Sequence, residues 1–216
     1  EEGNVASEAY LNKVIFKDNR CMLNGGAINL VDRTSTIIEN CRFENNRANE
    51  DAGAIQITGC DCEKYSKLTC KKTIFLENRS KQDSGAIKLN IFTRSKFEKC
   101  RFKSNFAEGK HGGAIQIIGK RGNKPSEVTL KGVSFRENLC KMDGGAIHAG
   151  DYSLLIFDKC RFEKNKSENS AGGVSLVGRE EKFPTKATFS NTYFIENSCE
   201  LDGGAIASGY HTRMIL

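Results

Sequence analysis

The chain has 216 residues, 33 basic and 27 acidic, for a net charge of +6. Charged residues at 28% and hydrophobic ones at 38% make it too apolar for a disordered chain and too polar for a membrane bundle. No apolar run approaches the roughly 18 residues that span a bilayer, and charges of both signs are interspersed rather than gathered on a basic face with stacking aromatics, so neither membrane insertion by this segment nor nucleic-acid binding is expected.

Glu1-Glu2-Gly3-Asn4 does not open a signal peptide, and Arg213-Met214-Ile215-Leu216 ends on an apolar stretch, as if a repeat had been cut. Residues 1–216 therefore read as a single solenoid taken from a longer polypeptide. The first repeat carries Leu11, Val14, Phe16, Asn19 and Cys21, then the turn Gly25-Gly26-Ala27-Ile28. The second carries Ile38, Cys41, Phe43, Asn46 and Ala48, then Ala52-Gly53-Ala54-Ile55. The third carries Cys70, Thr73, Phe75, Asn78 and Ser80, then Ser84-Gly85-Ala86-Ile87. The fourth has Phe97, Cys100, Phe102, Asn105 and Ala107 before Gly112-Gly113-Ala114-Ile115. The fifth has Leu130, Val133, Phe135, Asn138 and Cys140 before Gly144-Gly145-Ala146-Ile147. The sixth has Phe157, Cys160, Phe162, Asn165 and Ser167 before Ala171-Gly172-Gly173-Val174. The seventh has Phe189, Thr192, Phe194, Asn197 and Cys199 before Gly203-Gly204-Ala205-Ile206.

Successive phenylalanines, from Phe16 to Phe194, are 27, 32, 27, 33, 27 and 32 residues apart. A 27-residue unit has no room for a helix pair and shows no sustained 3.6-residue period. Its short runs of Ile, Val, Phe and Thr, broken by Gly, Asn and Asp, suit three short strands per coil. The fold expected is all-β: a right-handed single-stranded parallel β-helix, a pectin-lyase-like solenoid of about seven coils. Strands of neighbouring coils then pair at roughly 4.8 Å, and equivalent residues stack in columns. The unbroken asparagine column, Asn19, Asn46, Asn78, Asn105, Asn138, Asn165 and Asn197, is expected to form a hydrogen-bonded ladder at a turn.

Nine cysteines raise a disulfide or zinc reading. Cys41, Cys100 and Cys160 share a column but stand two coils apart, roughly 9.6 Å, beyond disulfide reach. Together with Cys21, Cys70, Cys140 and Cys199 they read as buried free thiols. Only Cys60 and Cys62 fall outside the columns, and no histidine shares their coil. No metal or other cofactor is expected. The one weak exception is Asp51 with Asp83, on adjacent coils and able to share a calcium ion. The competing reading has both aspartates opening tight turns before glycine.

The strand after each glycine turn is expected to present Asn29, Gln56, Lys88, Gln116, His148, Ser175 and Ala207 to solvent, with His148 outward and alone. That set holds no general acid–base pair, and no adjacent carboxylates follow the phenylalanines. Every second coil carries an insertion, at 59–67, 119–127 and 178–186, always at the same corner. Loops on a rigid scaffold are where binding concentrates. Tyr65, Lys120, Arg121, Lys124, Arg179, Lys182 and Phe183 are the expected contact residues of this strip.

Seven copies of Phe-x-x-Asn, each followed by Gly-Gly-Ala-Ile or a close variant, resemble the repeats of chlamydial polymorphic membrane proteins, from Phe16 to Ile206. Repeats similar to these also occur in large surface or secreted proteins of protists. Ala52, Ser84 and Ala171 depart from the first glycine, and Gly173-Val174 from Ala-Ile. The resemblance implies the β-helical passenger of a surface adhesin. The function expected is a non-catalytic extracellular or cell-surface β-helix, an adhesin or structural spacer binding a protein or glycan partner through its loops. The alternatives are a structural component of a large intracellular or organellar assembly, and a polysaccharide lyase or hydrolase.

Overall fold

The structure is a computed structural model that describes residues 7–60, 64–120 and 124–216. The first coil contains β1 (Ser7–Asn12), β2 (Ile15–Lys17), β3 (Arg20–Cys21) and β4 (Ile28–Val31). Each element pairs in parallel with its equivalent one coil on, so four sheets run along the solenoid: eight, seven, six and seven strands. The register is constant, with Phe16 opposite Phe43 and Phe75 opposite Phe102. Seven coils are stacked, and a strand at Thr212–Ile215 begins an eighth. No helix among the described residues is long and apolar enough to cross a membrane.

The first six coils have four strands each, not the three expected, and the seventh has three, with Ser198 in an isolated bridge at the remaining position. Two bends with left-handed backbone isolate the short β2-type strand. One lies three residues before each phenylalanine, as at Asn40, Lys72 and Lys99, and the other two residues after it, as at Asn45, Glu77 and Ser104. Lysine, glutamate and serine hold such φ values only because the ladders on both sides fix them.

The core is a stack of rings. Phe16, Phe43, Phe75, Phe102, Phe135, Phe162 and Phe194 lie face to face, with centroids 4.6–5.0 Å apart and planes within 9°. Phe97, Phe157 and Phe189 meet this stack edge-on. Isoleucine, leucine and valine columns of the β4-type strands close the interior. Such geometry adds roughly 0.5–1.5 kcal/mol per pair to simple burial.

The asparagine ladder forms as expected. Each side-chain N–H donates to the next carboxamide oxygen, from Asn19 through Asn46, Asn78, Asn105, Asn138 and Asn165 to Asn197, at 2.7–3.0 Å. The second N–H of Asn46 onward donates back to a phenylalanine carbonyl, as Asn105 does to Phe75 at 3.0 Å. Spacing between coils also dictates the second glycine of each turn. A Cβ on Gly85 would lie 2.2 Å from the carbonyl oxygen of Gly113 in the next coil.

Candidate functional site

The three insertions leave the solenoid at one corner, between the β4-type strand of one coil and the β1-type strand of the next, as expected. Neighbouring coils turn that corner in two residues, at 32–33, 91–92 and 151–152. The loop ends are stitched to those short turns: Gly59 N donates to Ile91 O and Ser66 N to Phe92 O. The Arg94 guanidinium lies 4.4 Å from the Tyr65 ring centroid and forms two hydrogen bonds with Glu127, at 2.7 and 3.0 Å. The Tyr65 hydroxyl donates to the same carboxylate at 3.1 Å. Burial, then the Glu127 charge and hydrogen bond, push the Tyr65 phenol up to about 12.

Lys124 Nζ lies 5.8 Å from the Tyr65 ring, and Lys120 Nζ lies 5.9 Å from the ring of buried Phe92. In the last loop Phe183 meets Tyr152 edge-on at 5.1 Å, Lys182 lies over Phe183, and Arg179 pairs with Asp151 at 3.4 Å. Arg121 lies outside the described residues. The strip is therefore a braced ridge: its named side chains pack onto the corner of adjacent coils.

The outward face of the β4-type sheet differs from expectation. In the middle coils Gln56, Lys88, Gln116, His148 and Ser175 are buried, not solvent-facing. The turn before each glycine pair stands beside this strand and docks on it. Ser84 Oγ accepts the Gln116 N–H at 2.7 Å. Rung spacing of roughly 4.8 Å leaves no room for water between the stacked side chains.

The column before the glycines is itself a ladder. Asn24 Oδ1 accepts Asp51 N–H, Asp51 Oδ1 accepts Asp83 N–H, and Asp83 Oδ1 accepts His111 N–H, at 3.0–3.1 Å. His111 Nδ1 accepts Asp143 N–H at 3.3 Å, and Asp143 Oδ1 accepts Ser170 N–H at 3.1 Å. The turn role expected of Asp51 and Asp83 holds, but the shared calcium does not. Lys88 Nζ lies 2.7 Å from Asp51 Oδ2 and 3.4 Å from Asp83 Oδ2, so the protein's own ammonium occupies the place of a cation.

Two coils further on, the same three positions hold His111, Asp143 and His148. His148 is not alone: its ring stacks on His111 at 4.3 Å with planes 22° apart. One ligand-type atom from each residue lies within 4.8 Å of the others. Burial, then the His111 ring, push His148 down to about 3, so the imidazole is neutral. Burial acts to raise the Asp143 carboxyl. The neighbouring His111 ring, with hydrogen bonds from Asn169 and the Ser170 N–H, outweighs it and holds the group below its ordinary value. Asp143 also lines an open cleft of about 450 Å³ that runs on past Ser170, Ser175 and Asp202. Sequence reasoning placed His111 and Asp143 in the column before the glycines and His148 in the column of the following strand. The signal it lacked was the one-coil register between the columns, which places His111 beside Asp143 and His148.

Cys21, Cys41, Cys70, Cys100, Cys140, Cys160 and Cys199 are free thiols, as expected from their columns. Cys60 is disulfide-bonded. The model of the right-handed β-helix region matches residues 3–127, more than half of the chain. The chain belongs to the right-handed β-helix family. Searches of curated proteins and of solved structures gave no match. As a right-handed β-helix, the chain stacks its coils in the sense anticipated from its repeats.

Proposed function

We propose that this β-helix is a non-catalytic, extracellular or cell-surface scaffold, an adhesin or structural spacer that meets a protein or glycan partner along its loop ridge. The observation that carries the reading is the bracing of the loops. Arg94 fixed between Tyr65 and Glu127, and Phe183 seated on Tyr152, hold aromatic and basic groups in place before any partner arrives. Preorganised side chains lose little entropy on association. Insertions recurring every second coil present such groups repeatedly at roughly 9.6 Å, a geometry suited to an extended partner.

Two further observations support it. Among the described residues, the carboxyls with displaced pKa values, Glu39, Glu44, Asp143 and Glu163, are all displaced downward, whereas a glycosidase general acid is raised. The disulfide at Cys60 suits an oxidising compartment. The likeness of the repeats to polymorphic membrane proteins points the same way.

The test replaces residues 59–65, 119–125 and 178–184 with the two-residue corner of the other coils. Binding to a glycan array and to cell surfaces is compared with the parent chain. Loss of binding with unchanged circular dichroism is the expected result. Binding that survives all three grafts would sink the ridge as the contact surface, and turnover of any polysaccharide on the array would replace the scaffold reading with an enzymatic one.

A further inference from the structure

We propose that His111, Asp143 and His148 form a zinc-binding site that ties the fourth coil to the fifth. The inference goes beyond the scaffold reading and does not depend on it. The donor set is two imidazoles and one carboxylate, brought within 4.8 Å of one another by coil register alone. Two imidazoles and a carboxylate suit zinc, with a fourth position left open.

The solenoid supplies its own control. At the equivalent positions two coils earlier, Asp51, Asp83 and Lys88, a lysine ammonium sits against two carboxylates. The fold therefore places a positive charge at this point of the lattice. In the fourth and fifth coils the lysine is replaced by His148 and one aspartate by His111, so the fixed cation is gone and nitrogen donors stand in its place.

A second, independent observation points to a ligand. His148 is 8% exposed, and its Nδ1 is buried with no hydrogen-bond partner among the described residues. A buried ring nitrogen without a partner costs folding free energy unless something binds it. Gln116, opposite His148 in the register, likewise keeps Oε1 buried without a partner.

Asp143 is prepared for one-oxygen ligation. Oδ1 accepts from Asn169 Nδ2 at 2.6 Å and from Ser170 N–H at 3.1 Å. Oδ2 faces His111, 3.4 Å from Nδ1. Hydrogen bonds that fix one carboxylate oxygen and free the other are what orient a metal ligand. Asp143 and Ser170 line the open cleft, which gives an ion a way in. Ring nitrogens reach zinc in the plane of the imidazole, at roughly 2.0–2.1 Å. The stacked rings must therefore splay as they close on the ion.

The test uses the full chain stripped with EDTA and dialysed against zinc chloride, with metal counted by mass spectrometry. One zinc per chain is expected. It is lost in Asp143→Asn and His148→Gln, which preserve size, and bound about 10–100-fold more weakly in Asn169→Ala, which removes a positioning residue. Cobalt in place of zinc gives a spectrum free of thiolate charge transfer. Because a variant can fail to fold, the parent chain is also followed by nitrogen-15 NMR of its three histidines. Zinc shifts His111 and His148 and leaves His211 in place. No saturable binding, binding indifferent to both ligand variants, a thiolate–cobalt band, or unmoved His111 and His148 signals would each overturn the site.

Discussion

Lys88 Nζ lies 2.7 Å from Asp51 Oδ2 in the preceding coil and 3.4 Å from Asp83 Oδ2 in its own. All three side chains are largely buried, so without the ammonium two carboxylates would face each other where water reaches them poorly. Lys88→Met is expected to destabilise the chain by about 3–5 kcal/mol, the cost of leaving a buried charge unpaired. Urea unfolding measures it. Calcium should restore part of the loss in this variant and leave the parent unmoved, because only the variant has a vacant place between two carboxylates.

Asn105 accepts two hydrogen bonds from Asn78 and donates to Asn138 and to Phe75. Asn105→Ala leaves several buried polar groups without partners, at about 1–3 kcal/mol each. The same change at Asn19, exposed at the start of the ladder, is expected to cost about 1 kcal/mol or less. Equal losses at the two positions, by urea or thermal unfolding, would contradict the ladder's role.

The two glycines of a turn are not equivalent. Ala52, Ser84 and Ala171 occupy the first position with φ of 58–63°. Gly112→Ala is therefore expected to fold and to lose about 1–2 kcal/mol. A Cβ on Gly113 would lie 2.1 Å from the carbonyl oxygen of Gly145 in the next coil. Gly113→Ala should part the fourth and fifth coils. Circular dichroism and limited proteolysis between them distinguish the two variants.

Burial raises the thiol of Cys70 well above its ordinary value, those of Cys100 and Cys160 to about 11, and that of Cys140 to about 12. Thiolate is the reactive form. Iodoacetamide at pH 8 should label the half-buried Cys21 and Cys199 first. The five buried thiols, Cys41, Cys70, Cys100, Cys140 and Cys160, are expected to react only in denaturant, as peptide mass spectrometry would reveal. Fast native labelling of Cys140 would contradict the packed corner.

The Tyr65 phenol is raised in the folded chain, so it binds its proton more tightly there than in the unfolded chain. Its contribution to stability is complete below pH 10 and is lost as pH rises toward 12. A spectrophotometric titration should find a late-ionising tyrosine that disappears in Tyr65→Phe. Glu127→Gln removes the carboxylate that opposes ionisation and should move that tyrosine to lower pH.

The sequence by itself determined the β-helix, its coil count and its two longest columns. A phenylalanine and an asparagine recurring in fixed register can satisfy their ring faces and carboxamides only by stacking on copies of themselves, so repetition alone specifies the ladder. The corner that carries the insertions follows from the same register. Tertiary structure decided the rest. Left-handed bends at Lys72 and Glu77 carry no glycine signal, because the ladders on either side impose them, and this is why the coil has four strands. Outward-pointing Gln116 and His148 are buried because the turn wall docks beside them, a contact no single column reveals. The pairing of Lys88 with Asp51, and the meeting of His111, Asp143 and His148, arise between two columns one coil apart. Residues 37 positions apart in the chain share a site there because the rise per coil is about one strand spacing.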